Sequence, residues 1–151
     1  MTPPLAREAI FPRIDGIRKN AERLATLATL SETEFFQEDA FALAQHHLRL
    51  ALEGIFHIGS HILSRLPGGR AVEYKEIARK LGELKVVPHD FAQKTLVPMA
   101  GMRNMLVHNY ADMDPKQFRK TVIAHHHDIE TYLQYIKEFL QHLDQFHLTM
   151  E

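Results

Sequence analysis

Apolar residues recur along this chain at the three-and-four spacing of helices, and no stretch shows the alternation of a strand. Ile10, Ile14, Ile17, Ala21, Leu24 and Leu27 form one stripe, which predicts a helix over residues 8–30. Gly16 inside it is a small cost rather than a break. The opposite face carries Arg13, Arg18, Lys19 and Arg23 and reads as solvated, while residues 1–8 read as a loose lead-in. Ser31-Glu32-Thr33-Glu34 has capping-box spacing and opens the next helical region. A long helix then follows on Phe41, Ala44, Leu48, Ala51, Ile55, Ile58, Ile62 and Leu66, ending at Pro67-Gly68-Gly69. Leu52, Phe56 and Leu63 widen this stripe beyond one side, so the helix is expected to serve a bundle and a second contact, such as a dimer interface. Its remaining face carries Arg49, Glu53, His57, Ser60 and Ser64.

Downstream, a short helix is predicted over 72–84, with Val86-Val87-Pro88 as a connector. The next helix starts near His89, with Leu96, Met99, Met102 and Leu106 as its buried side and a kink or restart at Pro98. A last helix is predicted from Pro115 to His142, with Phe118, Val122, Ile129, Ile136 and Leu143 among its core positions. The pattern adds up to an all-α, up-and-down bundle of four long helices and one short one, a single domain over residues 1–151.

Composition narrows the function classes. The chain has 151 residues, 45% hydrophobic and 25% charged, ordinary for a globular protein with a real core. With no cysteine there is no disulfide framework and no thiolate chemistry. No apolar run approaches the roughly 18 residues of a membrane span, and the first residues lack the apolar core of a signal peptide; a cytoplasmic location without a membrane partner is expected. A net charge of −1 exerts no global pull on nucleic acid, so any such contact must be local. Eleven histidines make the charge sensitive to mild acid.

Candidate chemistry concentrates in Arg103-Asn104-Met105-Leu106-Val107-His108-Asn109-Tyr110. Arginine is a permanent planar fork for phosphate, and histidine serves as general acid or base near neutral pH. At about 100° per residue, Arg103 and Tyr110 share a helix face, whereas His108 lies roughly 140° around from Arg103. Either the helix unwinds after Val107 or a second subunit completes the site. Asn109 suits a left-handed exit from a helix, and Asp114-Pro115 reads as the cap and first turn of the next. Asn104 sits one turn before His108, where it could orient the imidazole or cap the helix end. Glu53, His57 and His61 have metal-ligand spacing, but a polar helix face is the better reading. The neighbours His125-His126-His127 cannot face one way, so one is expected to point inward. Lys116, Arg119 and Lys120 form a solvated first turn or an RNA-steering patch.

In this helical setting the chain resembles the HepT toxins of the HEPN domain superfamily. The resemblance rests on Arg103 to Tyr110, which looks like the family's Arg-x4-His-x-Tyr signature. It extends to Leu48 to Ile55, Ile58-Gly59-Ser60-His61-Ile62, Val72-Glu73-Tyr74 and Met99-Ala100-Gly101-Met102. Two positions depart from the family pattern: Asn109 stands where glycine is usual, and His57 where an acid is usual, with Glu53 one turn earlier as its possible substitute. The resemblance implies a homodimer with Arg103 and His108 of both subunits lining one cleft. It also implies a metal-independent endoribonuclease toxin without a cofactor, supported by Asn104, Tyr110, Glu53 and His57. Its partner would be an MntA-like nucleotidyltransferase antitoxin that silences it by attaching AMP to Tyr110. The competing reading is a non-catalytic HEPN-like module that binds a nucleotide or a nucleotidyltransferase without cutting RNA.

Overall fold

The computed structural model describes residues 2–37 and 39–151. Among them the structure is helical, apart from one isolated parallel bridge between Leu5 and Met150. α1 (Arg7–Ala28) packs along α3 (Ala40–Leu63), with Ile10, Ile17 and Leu24 fully buried on the predicted stripe. Their contact is close because Gly54 lacks a side chain: a Cβ there would sit 2.6 Å from Cγ1 of Ile17.

The capping box at Ser31 is formed in both directions: Ser31 Oγ accepts from the Glu34 amide at 3.1 Å, and Glu34 accepts from the Ser31 amide at 3.0 Å. It caps only the short α2 (Glu32–Phe36), and the long α3 begins afresh at Ala40. The wide apolar face of α3 is consumed within the chain. Ala44, Leu48, Ala51, Ile55, Ile58 and Ile62 are buried, and so are Leu52, Phe56 and Leu63. α1, α4 (Tyr74–Glu83) and α6 (Val97–His108) cover its different sides. The width of that stripe therefore needs no second subunit to explain it.

The connector at Val86 and Val87 is buried, and both amides donate to the Leu81 carbonyl. From His89 the helix continues through α5 (His89–Phe91), a π-helical turn (Ala92–Leu96) and α6. The wider turn ends just before Pro98, where a regular helix would need an amide that proline lacks. This is the predicted interruption, absorbed as a bulge.

Two expectations are corrected. The predicted last helix is two: α7 (Pro115–His125) and α8 (Asp128–Leu140). The break falls at His126-His127, where Asp128 takes the nitrogens of His125 at 3.0 Å and His127 at 3.5 Å. A carboxylate drawn back onto the preceding turn starts a new helix there. Of the three histidines, His126 is the least exposed, as expected of one inward member. The lead-in, secondly, is not loose. Leu5 is fully buried, its amide donates to Thr149 at 2.8 Å, and its carbonyl accepts from the Glu151 amide at 2.9 Å. α8 is fastened to α3 by Tyr132, whose buried hydroxyl donates to the Ile55 carbonyl at 2.9 Å; burial raises its pKa well above the ordinary tyrosine range. No helix among the described residues is long and apolar enough to cross a membrane.

Candidate active site

The polar face of α3 meets the motif on α6. Glu53, held partly buried, is the hinge: one oxygen accepts from Arg49 at 3.0 Å and the other from Arg103 at 3.2 Å. Both arginines thereby face a groove of about 440 Å³ that Gln45, His46, Val107 and Tyr110 also line. The Arg103 guanidinium lies 4.4 Å from the centre of the Tyr74 ring, which in turn stacks on Phe56 at 5.2 Å. A carboxylate on one side and an aromatic face on another hold the guanidinium in one orientation. Its Nε is buried without a hydrogen-bond partner. A buried donor left idle costs about 1–3 kcal/mol, and the Nε of Arg119 is in the same state.

The motif helix does not unwind after Val107. It runs through His108, and Asn109 adopts φ −136° and ψ 24°, not the left-handed conformation. The Asn109 amide still bonds the Met105 carbonyl at 2.8 Å, so no left-handed exit is needed. His108 therefore keeps the angular offset that helical pitch dictates. It is exposed and does not line the groove that holds Arg103 and Tyr110. Asn104 makes no hydrogen bond to His108 or to the helix end among the described residues, so the orienting and capping roles are not realised in this chain alone. Tyr110 opens a 3₁₀ turn (Tyr110–Asp112) and is 59% exposed. Gln45 holds that turn by donating to the Tyr110 carbonyl at 3.0 Å. Asp114 caps α7 as predicted, accepting from the Lys116 amide at 3.1 Å.

His57 faces α1. Its Nδ1 lies 2.8 Å from Arg13. An arginine can only donate, so Nδ1 accepts and the ring is neutral. His61 is likewise an acceptor, taking the Ala6 amide on Nε2 at 3.0 Å. Burial is the main cause holding both pKa values below the ordinary 6.5, followed by Arg13 for His57 and Arg65 for His61. These two rings are spent on protein contacts and do not converge with Glu53 on a common point. Lys116 pairs with Glu32 at 3.5 Å, and Arg119 donates to the Leu30 carbonyl at 3.0 Å.

Arg49, Tyr74, Gln45 and His46 are site residues that the sequence did not single out for chemistry. Arg49 left a signal as the residue one turn before Glu53 on the polar face, and Tyr74 as part of the resembling segment Val72-Glu73-Tyr74. A second, mainly apolar recess of about 300 Å³ opens beside Met99, Met102, Val122 and Ile129. On its rim Lys94 pairs with Asp90 at 3.7 Å and His125 with Asp128.

Comparison with known proteins bears on the family and the fold. The pattern of the family described as Ribonuclease HepT-like matches residues 17–136. The tRNA nuclease HepT of Aphanizomenon flos-aquae is 26% identical over 137 residues, spanning 90% of this chain and 92% of that protein. A crystal structure of a mutant of the toxin–antitoxin MntA-HpeT contains a chain of the same fold. It has a TM-score of 0.73 at 19% identity and covers 87% of this chain and 99% of that one. With most of its length matched, the chain belongs to the HepT-like ribonuclease family.

Proposed function

We propose that this chain is the endoribonuclease toxin of a toxin–antitoxin pair, active as a homodimer whose cleft combines Arg103 and His108 from both subunits. The observation that carries this reading is the separation of the two groups within one chain. Arg103 lines the groove, while His108 is exposed on another side of the same helix. A second copy of α6 facing the first supplies the imidazole that one chain cannot bring to its own Arg103. Met105 and Val107, exposed apolar residues between the two, suit such a contact.

The chemistry follows from the residue types. The ribose 2′-oxygen attacks phosphorus as a base, His108 in one subunit, takes its proton. The bond to the 5′-oxygen breaks as an acid, the second His108, returns a proton to it. Arg103 holds the non-bridging oxygens and offsets their growing charge. The products are a 2′,3′-cyclic phosphate and a 5′-hydroxyl. No metal is required by this scheme, and DNA lacks the nucleophile. Glu53 and Tyr74 position Arg103, and His57 accepts a hydrogen bond from Arg13. Tyr110, exposed and in the same groove, is the residue that an MntA-like nucleotidyltransferase antitoxin would load with AMP. The added anion would fill the groove and repel RNA phosphate. The toxin–antitoxin neighbour and the tRNA nuclease relative support this reading.

The test uses the purified chain with transfer RNA in EDTA. Wild type should cut, whereas Arg103→Ala and His108→Ala should each lose about a hundredfold or more in rate. Metal-dependent cutting, or cutting that both variants retain, defeats the proposal.

A further inference from the structure

Glu53 serves two guanidinium groups with one carboxylate, and this leaves the groove with excess positive charge. Among its lining residues Arg49 and Arg103 are cations and Glu53 is the sole acid. Each arginine is engaged by a single carboxylate oxygen, so each keeps donors for another anion. The two forks are therefore no farther apart than two hydrogen bonds plus the width of a carboxylate. That is the scale on which successive phosphates follow one another along a strand. Arg49 is about one-third exposed, so its remaining donors reach solvent. The exposed ring of Tyr110 forms a wall of the same groove.

We infer that Arg49 is a second phosphate-binding residue, which holds the RNA phosphate next to the one that Arg103 grips. The base between them rests on Tyr110, since an aromatic face accepts any base without reading its sequence. This rests on the ribonuclease reading above and names a subsite within it. The groove then takes a single-stranded segment of RNA, two phosphates at a time. Glu53 acts as the spacer that fixes the distance between the two grips and keeps the guanidinium groups from repelling each other when the groove is empty. Binding RNA transfers part of each arginine from the carboxylate to phosphate.

The binding arm of the test uses a labelled single-stranded oligonucleotide with 2′-O-methyl sugars, which keeps its phosphates and cannot be cut. Arg49→Gln is expected to weaken its binding about tenfold at moderate salt and to lower the slope of log affinity against log salt by roughly 0.7, one phosphate contact on a single strand. Arg49→Lys, which keeps the charge and loses the fork, should retain the slope and lose part of the affinity. The cleavage arm expects KM to rise about tenfold for Arg49→Gln with kcat within about twofold of wild type. Wild-type affinity and slope in Arg49→Gln overturn the inference. So does a fall in kcat at constant KM, which would leave Arg49 only the task of steadying Glu53. If wild type cuts no RNA at all, the catalytic reading fails, and the binding arm still decides the role of Arg49.

Discussion

At the scale of single residues, hydrogen-bond direction says more than residue type. Histidine is abundant here, and abundance suggested a charge that responds to mild acid. The structure sorts the rings by what they accept. His57 takes a hydrogen bond from Arg13 and His61 takes one from the Ala6 amide, and neither nitrogen can do so once protonated. Both pKa values lie below 6.5, chiefly through burial. For His57 the charges facing it are Arg13 on α1 and Arg103 on α6, opposed by Glu53 on its own helix. The sign is then set. Below 6.5 the unfolded chain binds protons that the folded chain resists, so stability is complete above 6.5 and declines as pH falls toward the folded values. Thermal unfolding at pH 5.5 should come on the order of a few degrees below that at pH 7.5. The double variant His57→Gln, His61→Gln should narrow that gap, and a gap left unchanged would show that other histidines carry it.

At the scale of elements, close approach decides which glycines matter. Gly16 and Gly82 both lie in helices, and the sequence gives no reason to treat them differently. A Cβ on Gly16 meets nothing within 4 Å, so Gly16→Ala should stabilise by about 0.5–1 kcal/mol through helix propensity alone. A Cβ on Gly82 would stand 2.6 Å from the Cβ of Ala92, an atom that no rotamer change can move aside. Overpacking of about 1–3 kcal/mol there outweighs the same propensity gain, so Gly82→Ala should destabilise by roughly 1–2 kcal/mol net. Urea midpoints of the two variants should move in opposite directions. Gly82 faces the π-helical turn before the motif helix, so its tight contact also sets where α6 begins. The helices themselves were legible: the stripes on α1, α3 and α6 fell where periodicity put them. Their ends were less so, because the break at His126-His127 depends on where the Asp128 carboxylate reaches, and the length of α2 depends on where the chain must turn to start α3.

At the scale of the whole molecule, the segment near Leu148 closes the bundle. Leu148 is nearly buried, and the backbone of Leu5 and Arg7 pairs with Thr149 and Glu151. Removing residues 148–151 uncovers Leu5 and leaves those backbone groups to water. At about 1.5–3 kcal/mol for one buried leucine and about 1 for each of the three hydrogen bonds lost, the truncation should cost about 4–6 kcal/mol in chemical denaturation. A loss below about 0.5 kcal/mol would show that this bridge frays in solution. The same deletion lies far along the chain from the motif, so it tests the closure of the fold apart from the chemistry.

Local periodicity and a short polar motif determined the helical class, the core stripes, the cap at Asp114 and the residues around which the groove is built. They could do so because helix pitch and capping act over a few neighbouring residues. The tertiary structure alone decided that Glu53 is shared between Arg49 and Arg103, that Tyr74 lies against the Arg103 guanidinium, and that His57 turns to Arg13. It also decided that Leu5 pairs with the chain near Met150. Each of these joins residues from separate elements, and such contacts depend on how whole helices pack, which no local pattern of residues encodes.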